Sequence, residues 1–150
     1  MEQTNKDLLI SDLCGRVPYG VKIEVTWWCM GEGVSIETTL DPDHIQQLLD
    51  DCDGDIEIMP FLRPISDMTT EECERLFEIL HIDENRGDWL KINDIGIIRL
   101  MTENGKDFYE IAQAMYYLNS IHVDYNELID KGLAKKASEG MYVFSKSEQL

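Results

Sequence analysis

Positively charged residues are scarce in this 150-residue chain. It contains 13 Lys and Arg against 30 Asp and Glu, which gives a formal net charge of −17 at pH 7. Nucleic acid backbones and anionic membranes attract Lys and Arg, so they repel a surface of this sign. We therefore expect no direct nucleic acid binding and no membrane binding. The charge suits a protein partner instead, and a basic surface on that partner is one candidate.

The chain also lacks the short motifs that indicate a cofactor or an activated nucleophile. It contains no GxxxxGK[ST], no GxGxxG and no GxSxG. Asp51, Asp53 and Asp55 have the spacing of a calcium loop, but Leu62 stands where that loop needs a bidentate carboxylate. The three histidines are far apart in the sequence. We expect no cofactor, no bound metal and no catalytic residue.

Signals for export and membrane insertion are missing as well. Neither a basic stretch with an apolar run after Met1 nor an apolar segment of about 18 residues is present. The four cysteines, Cys14, Cys29, Cys52 and Cys73, show no CxxC spacing. We expect reduced thiols on apolar faces of the core, because free cysteine is often buried. Together these features predict a cytoplasmic protein.

A hydrophobic content of 43% is enough for one globular domain over residues 1–150. Apolar and polar residues alternate from 21 to 40 around a glycine turn at 31–33, which predicts a β-hairpin. The same alternation predicts a third strand near 55–59. Helical spacing of apolar residues predicts amphipathic helices near 42–52, 70–80 and 107–120. The predicted fold is α+β, with a small antiparallel sheet packed against these helices.

Capping signals support two of these helices. Asp41 followed by Pro42 is typical of a helix start, and Thr69 with Glu72 forms a capping box. We expect one core, in which Cys73, Leu76, Phe77 and Leu80 pack onto the hairpin beside Ile45, Leu48 and Leu49. In the helix near 107–120 the residues predicted to face inward are Phe108, Ile111, Ala112, Met115 and Leu118.

The remaining segments give weaker patterns. The spacing predicts a first helix over 4–14 that ends at Gly15, and two apolar runs within 89–101 predict a second hairpin. Asp124 is predicted to cap a short helix over 125–131. Residues 139–144 are predicted to form either a last strand or a docked tail.

Four residues are candidates for binding a partner, namely Arg16, Tyr19, Trp28 and Arg63. The two arginines and Tyr19 lie in turn-rich segments, and loops often carry binding residues, while a planar guanidinium can make bidentate contacts. The alternative is that each arginine pairs with a carboxylate of this chain and braces the fold. Trp28 alternates with a core-facing Trp27, so it is expected either under a second layer or as an anchor for a partner.

Five segments of the chain carry a resemblance to a known group of proteins. They are residues 12–22 (DLCGRVPYGVK), 61–69 (FLRPISDMT), 122–125 (HVDY), 128–134 (LIDKGLA) and 139–142 (EGMY). In this order they resemble small acidic proteins of unknown function from phages and integrated elements of gut anaerobic bacteria. The resemblance implies a genomic setting, and no activity, ligand or catalytic residue comes with it.

Three hypotheses on function follow from these features. The first is a non-enzymatic protein-binding module of phage or mobile-element origin. A sharper form of it is an acidic inhibitor, or nucleic-acid mimic, that occupies a basic surface of a defence or nucleic-acid-binding protein. The competing hypothesis is a small metal-dependent hydrolase that uses clustered carboxylates, which requires at least three of them to converge in a cleft.

The expected absence of a disulfide gives a first prediction. Adding dithiothreitol should leave the melting temperature unchanged, because no cross-link restricts the unfolded chain. Thermal melts of the monomer with and without the reductant measure this. A melting temperature that falls on reduction would contradict the prediction.

Overall fold

The computed structural model describes residues 2–81 and 108–142. Within these ranges the α-helices are α1 (Gln3–Arg16), α2 (Pro42–Asp50), α3 (Thr70–Ile79) and α4 (Phe108–Ser120). The strands are β1 (Lys22–Cys29), β2 (Glu32–Thr39), β3 (Ile56–Leu62) and β4 (Lys135–Lys136), in the sheet order β2-β1-β3-β4. The predicted α+β fold is confirmed. The hairpin predicted within 89–101 lies outside the described residues, as do residues 143–144.

The predicted hairpin is present, with its turn shifted along the chain. All eight residues of β1 pair with β2 in antiparallel register. Met30 and Gly31 form the turn with φ values of 54° and 82°, the left-handed pair that a two-residue hairpin turn requires. Gly33, expected in the turn, therefore lies inside β2. On its other side β1 pairs with β3 in antiparallel register, and β4 adds a short parallel strand that no alternation had indicated.

Both predicted helix starts are confirmed as capping boxes. Asp41 Oδ1 accepts a hydrogen bond from the His44 backbone N–H at 3.1 Å, and His44 Nδ1 accepts the Asp41 N–H at 3.0 Å. At α3, Thr69 Oγ1 accepts the Glu72 N–H at 3.1 Å, and Glu72 Oε1 accepts the Thr69 N–H at 2.8 Å. Because each box satisfies two free N–H groups, the first residue of these short helices is well defined.

Buried apolar side chains form two clusters rather than the single predicted core. The first lies between α1, α2 and one side of the sheet, which we call the inner face; it includes Leu9, Leu13, Ile23, Val25, Leu48 and Ile58. The second lies between α3 and α4 and includes Cys73, Leu76, Phe77, Leu80, Ala114 and Leu118. The α3 stripe is thus buried as predicted, but α4 covers it instead of the hairpin.

Several predicted inward positions face solvent. Leu49 is exposed although it lies next to buried Leu48, and α4 exposes Phe108 and Met115. The helix buries Leu118 as predicted, and it buries Ala114, which was not predicted, because α3 approaches from that side. Apolar residues on several sides of α4 made the sequence pattern ambiguous about which side is covered.

The cysteines follow the prediction in pairing and depart from it in burial. None of Cys14, Cys29, Cys52 and Cys73 forms a disulfide, but only Cys73 is buried. Cys29 is the last residue of β1, and Cys52 lies in the turn after α2, and both are exposed. The expectation of four core thiols is wrong for three of them.

A chain of turns replaces the predicted helix over 125–131. The Asp124 carboxylate does accept hydrogen bonds from the backbone N–H groups of Leu128 at 2.8 Å and Ile129 at 2.9 Å. Glu127, however, has a φ of 58°, which is outside the range of a right-handed helix. The cap is therefore present, and the helix it was expected to start is not.

None of the helices within residues 2–81 and 108–142 has the length and apolarity that a bilayer crossing needs.

Phe77 provides a test of the second cluster. Its side chain is 4% exposed between α3 and α4. Truncation to Ala should lower the free energy of unfolding by about 3 to 5 kcal/mol, through lost burial and the cavity left behind. Glu74→Ala on the exposed side of α3 is the control and should change it by less than about 0.5 kcal/mol. Urea denaturation measures both, and equal effects of the two substitutions would contradict this packing.

Candidate functional site

Arg16, the first candidate partner-binding residue, lies inside the protein with 0% of its side chain exposed. Its Nε donates to Asp12 Oδ2 at 2.6 Å, and its Nη2 donates to Asp12 Oδ1 at 3.1 Å and to the Val123 carbonyl at 2.9 Å. The guanidinium carbon lies 5.0 Å from the centre of the Tyr125 ring, a cation–π contact. This placement favours the bracing role, because a partner has no access to the guanidinium.

The neighbourhood of Arg16 is closely packed. Asn126 Nδ2 donates to the same Asp12 carboxylate at 2.8 Å. A Cβ atom added to Gly15 would stand 3.0 Å from Asn119 Nδ2, so a glycine at this position lets α4 approach α1 closely. The ion pair thus joins the end of α1 to the segment that follows α4.

Arg63 makes a second internal brace at the end of β3. Its Nη1 and Nη2 donate to the two Glu72 oxygens at 2.8 and 2.7 Å, and to the carbonyls of Ile121 at 3.1 Å and Asp67 at 3.0 Å. Burial opposes ionisation of Glu72, but hydrogen bonds from Arg63 and Thr69 outweigh it and lower the pKa of this carboxyl. Both Arg63 amino groups are therefore already engaged within the chain.

Tyr142 closes the same region from the C-terminal side. Its hydroxyl donates to the Phe61 carbonyl at 2.7 Å and accepts the Lys22 backbone N–H at 2.9 Å. Its ring stacks on His122 with ring centres 3.8 Å apart. Burial, followed by the positive charges of Arg16 and Arg63, lowers the pKa of His122 to about 4. His122 is therefore neutral near pH 7.

Four of the five segments that carry the resemblance meet in this region. Asp12 and Arg16, Arg63, His122 and Tyr142 come from separate segments and lie in one connected set of contacts. Sequence reasoning did not single out Glu72, His122 or Tyr142 as partners. The signal that could have found two of them was their presence in the resembling segments.

An open cleft of about 560 Å³ lies beside Arg63 and Tyr142. Its charged lining residues are of both signs, namely Arg63, Lys136, Asp67 and Glu139. Within residues 2–81 and 108–142, no three His, Cys, Asp or Glu side chains are grouped as metal ligands would be. The metal-dependent hydrolase therefore has no candidate site in the described part of the chain.

Trp28 lies on the opposite side of the sheet from the helices, which we call the outer face. Its side chain is 46% exposed. The ring covers Gly33 of β2, where an added Cβ would stand 2.9 Å from a ring carbon. Neither apolar cluster includes a residue of the outer face among the described residues. One of the two expectations for Trp28 was a second layer over this face. No such layer is seen among the described residues.

The four candidate residues do not form one surface. Arg63 and Trp28 lie at opposite ends of β3. Arg63 follows its last residue, whereas the N–H of Trp28 donates to the carbonyl of Asp55, the residue just before β3 begins. Tyr19 is half-buried in the 3₁₀ turn Val17–Tyr19 after α1. Only Trp28 is largely open to a partner.

Three carboxylates share the outer face with Trp28. Glu24 and Glu37 stand directly opposite each other in the β1–β2 register, and Glu57 of β3 lies opposite Thr26. Lys135 Nζ donates to Glu24 Oε1 at 2.8 Å. Between Lys22 and Arg63 the chain has no Lys or Arg and ten Asp and Glu. The hairpin, α2 and β3 therefore present an acidic surface.

Comparisons of the chain with models of protein families, with curated proteins and with solved structures find no match. The argument for function therefore rests on the chain's own residues.

The buried neutral His122 predicts pH-dependent stability. Its pKa is about 4 in the folded protein against an ordinary value of 6.5. Below pH 6.5 the unfolded chain binds a proton that the folded chain does not, so the free energy of unfolding should fall as the pH drops towards 4. This group should contribute on the order of 2 to 3 kcal/mol to that fall.

Urea denaturation across this pH range checks the prediction against His122→Asn. Asparagine tolerates the φ of 62° at this position and does not titrate. The variant should be less stable near pH 7 and should show a shallower dependence on pH. If the free energy of unfolding depends on pH equally in the two proteins, the carboxyl groups alone account for that dependence.

Proposed function

We propose that this chain is a non-enzymatic, cytoplasmic protein-binding module, and that it binds through the outer face of the hairpin with Trp28 as the anchor. The observation that carries the proposal is the half-exposed indole of Trp28. Tryptophan is the residue most enriched at the centres of protein interfaces, where its large surface leaves water. If Trp28 only covered Gly33, the large size of its side chain would bring less benefit.

Charge supports a basic surface on the partner. Directly opposed carboxylates such as Glu24 and Glu37 destabilise an isolated sheet, and Lys135 offsets only one of them. A Lys or Arg of a partner placed beside Glu37 would relieve this repulsion and add a favourable contact. Complementary charge of this kind also speeds association.

A narrower form of the proposal concerns the kind of partner. A stretch of 40 residues without Lys or Arg resembles a polyanion in charge, so its natural competitor for a basic surface is nucleic acid. Together with the resemblance to phage proteins, this motivates an inhibitor that occupies the nucleic-acid-binding surface of a defence or host protein. Displacement of the chain from its partner by added DNA or RNA would support this form.

Affinity capture from a lysate of a gut anaerobe, with the tagged full chain, tests the proposal. Trp28→Ala should remove the captured partner, because loss of a central anchor costs about 2 kcal/mol or more. Tyr109→Ala, which removes an exposed aromatic side chain on α4, is the matched control and should retain it. Thermal melts of both variants exclude unfolding as the cause.

The same capture repeated at rising salt tests the charge argument. Retention should fall steeply towards about 1 M salt, where the Debye length is only about 3 Å. A partner retained equally well by Trp28→Ala, or at every salt concentration, would contradict the proposed surface.

A further inference from the structure

Among the strands within residues 2–81 and 108–142, β2 lies at an edge of the sheet and pairs only with β1. The backbone N–H of Trp28 points towards β3, where it donates to the Asp55 carbonyl at 2.8 Å. Backbone N–H and C=O groups alternate in direction along an antiparallel pair. Where a β1 residue directs these groups towards β3, the β2 residue opposite it directs its own groups away from β1. On β2 these residues are Gly33, Ser35, Glu37 and Thr39. No backbone hydrogen bond joins these four to any other described residue.

Apart from the charges of Glu32 and Glu37, this edge lacks the features that normally protect one. Exposed edges are usually interrupted by a bulge, by proline or by lysine, or they are covered by another element. β2 has eight residues in unbroken register, with neither Lys nor Pro. Val34 and Ile36, whose side chains lie on the inner side, are 64% and 47% exposed. An edge of this length with exposed apolar side chains is a ready site for another strand.

The charge of the surroundings selects the occupant. A second copy of the chain would bring another −17 against the same acidic hairpin, which opposes self-pairing. A segment of a basic protein has the complementary charge. Its side chains would alternate between Val34 and Ile36 on the inner side and Ser35 and Glu37 on the outer side.

We propose that an extended segment of a basic partner, with alternating apolar and Lys or Arg residues, adds to β2 as a further strand of the sheet. The inference rests on the proposed function and names the mode by which it is achieved. The backbone supplies hydrogen bonds from Ser35 and Glu37, and the alternation of side chains supplies specificity. Trp28 lies beside Gly33 at the start of the same edge and extends the contact on the outer face.

A synthetic peptide of alternating lysine and valine, as long as β2 and with blocked ends, is the probe. Nuclear magnetic resonance should show increased hydrogen-exchange protection at the outward amides of Ser35 and Glu37. The amides of Val34 and Ile36, which face β1, should change little. A peptide of alternating glutamate and valine should not bind. The lysine peptide should also fail to bind when the backbone nitrogens on the side that would pair with β2 are methylated.

Glu37→Pro tests the backbone contact on the protein side. Proline removes an N–H that points away from β1, so the internal ladder is kept. Glu37→Gln is the matched control, since it removes the same charge and keeps the N–H. The lysine peptide should bind Glu37→Pro roughly tenfold more weakly than Glu37→Gln.

A second pair of variants serves if Glu37→Pro does not fold. Ile36→Lys places a cation on the edge, and Ile36→Thr keeps the β-branched shape without it. The first should weaken peptide binding roughly tenfold relative to the second, because the new cation would stand opposite an apolar valine of the peptide and would repel its neighbouring lysines.

Three outcomes would overturn the inference. Equal binding by Glu37→Pro and Glu37→Gln, or by the N-methylated peptide, would show attraction by charge without strand addition. Protection of the Ser35 and Glu37 amides without peptide, with a dimer in sedimentation, would make a second copy the occupant. Absence of peptide binding, while capture still depends on Trp28, would remove strand addition and leave the proposed function standing.

Discussion

Arg16 has no exposed side-chain area, and a charge in that position is costly unless every contact around it is in place. Asp12 is supplied by the preceding turn of α1, so half of the pair forms with the helix itself. The other contacts, to the Val123 carbonyl and the Tyr125 ring, come from more than 100 residues away. The fold must bring that segment to α1 before the charge is satisfied. This ion pair therefore holds the turns after α4 against the end of α1.

The second arginine extends the same logic across the molecule. Arg63 joins the end of β3 to the capping box of α3 through Glu72 and to the end of α4 through Ile121. The two apolar clusters are thus connected at their edges by charged groups. Both arginines form their contacts within the fold, in a chain with only 13 Lys and Arg. The carboxylates of the hairpin are correspondingly left with few cations of their own.

This distribution separates the protein into a braced region and an open one. The braced region holds the arginines, His122 and Tyr142, and most of the contacts of these side chains are made within the chain. The open region is the hairpin, with Trp28 on the outer face and Val34 on the free edge. Stability does not require those side chains to be exposed in this way. Their exposure is the basis of the proposed contact with another molecule, and the acidic surroundings are the reason for proposing a basic one.

Short-range patterns determined what the sequence could predict by itself. The hairpin follows from a period of two and the helix starts from caps three residues away, so both depend on neighbours along the chain. The same alternation predicted that Trp28 points away from Trp27. Contacts between distant segments were decided only by the tertiary structure. Which side of α4 is buried depends on α3, and whether Arg16 braces the fold or meets a partner depends on Val123, because burial is set by what packs against a residue.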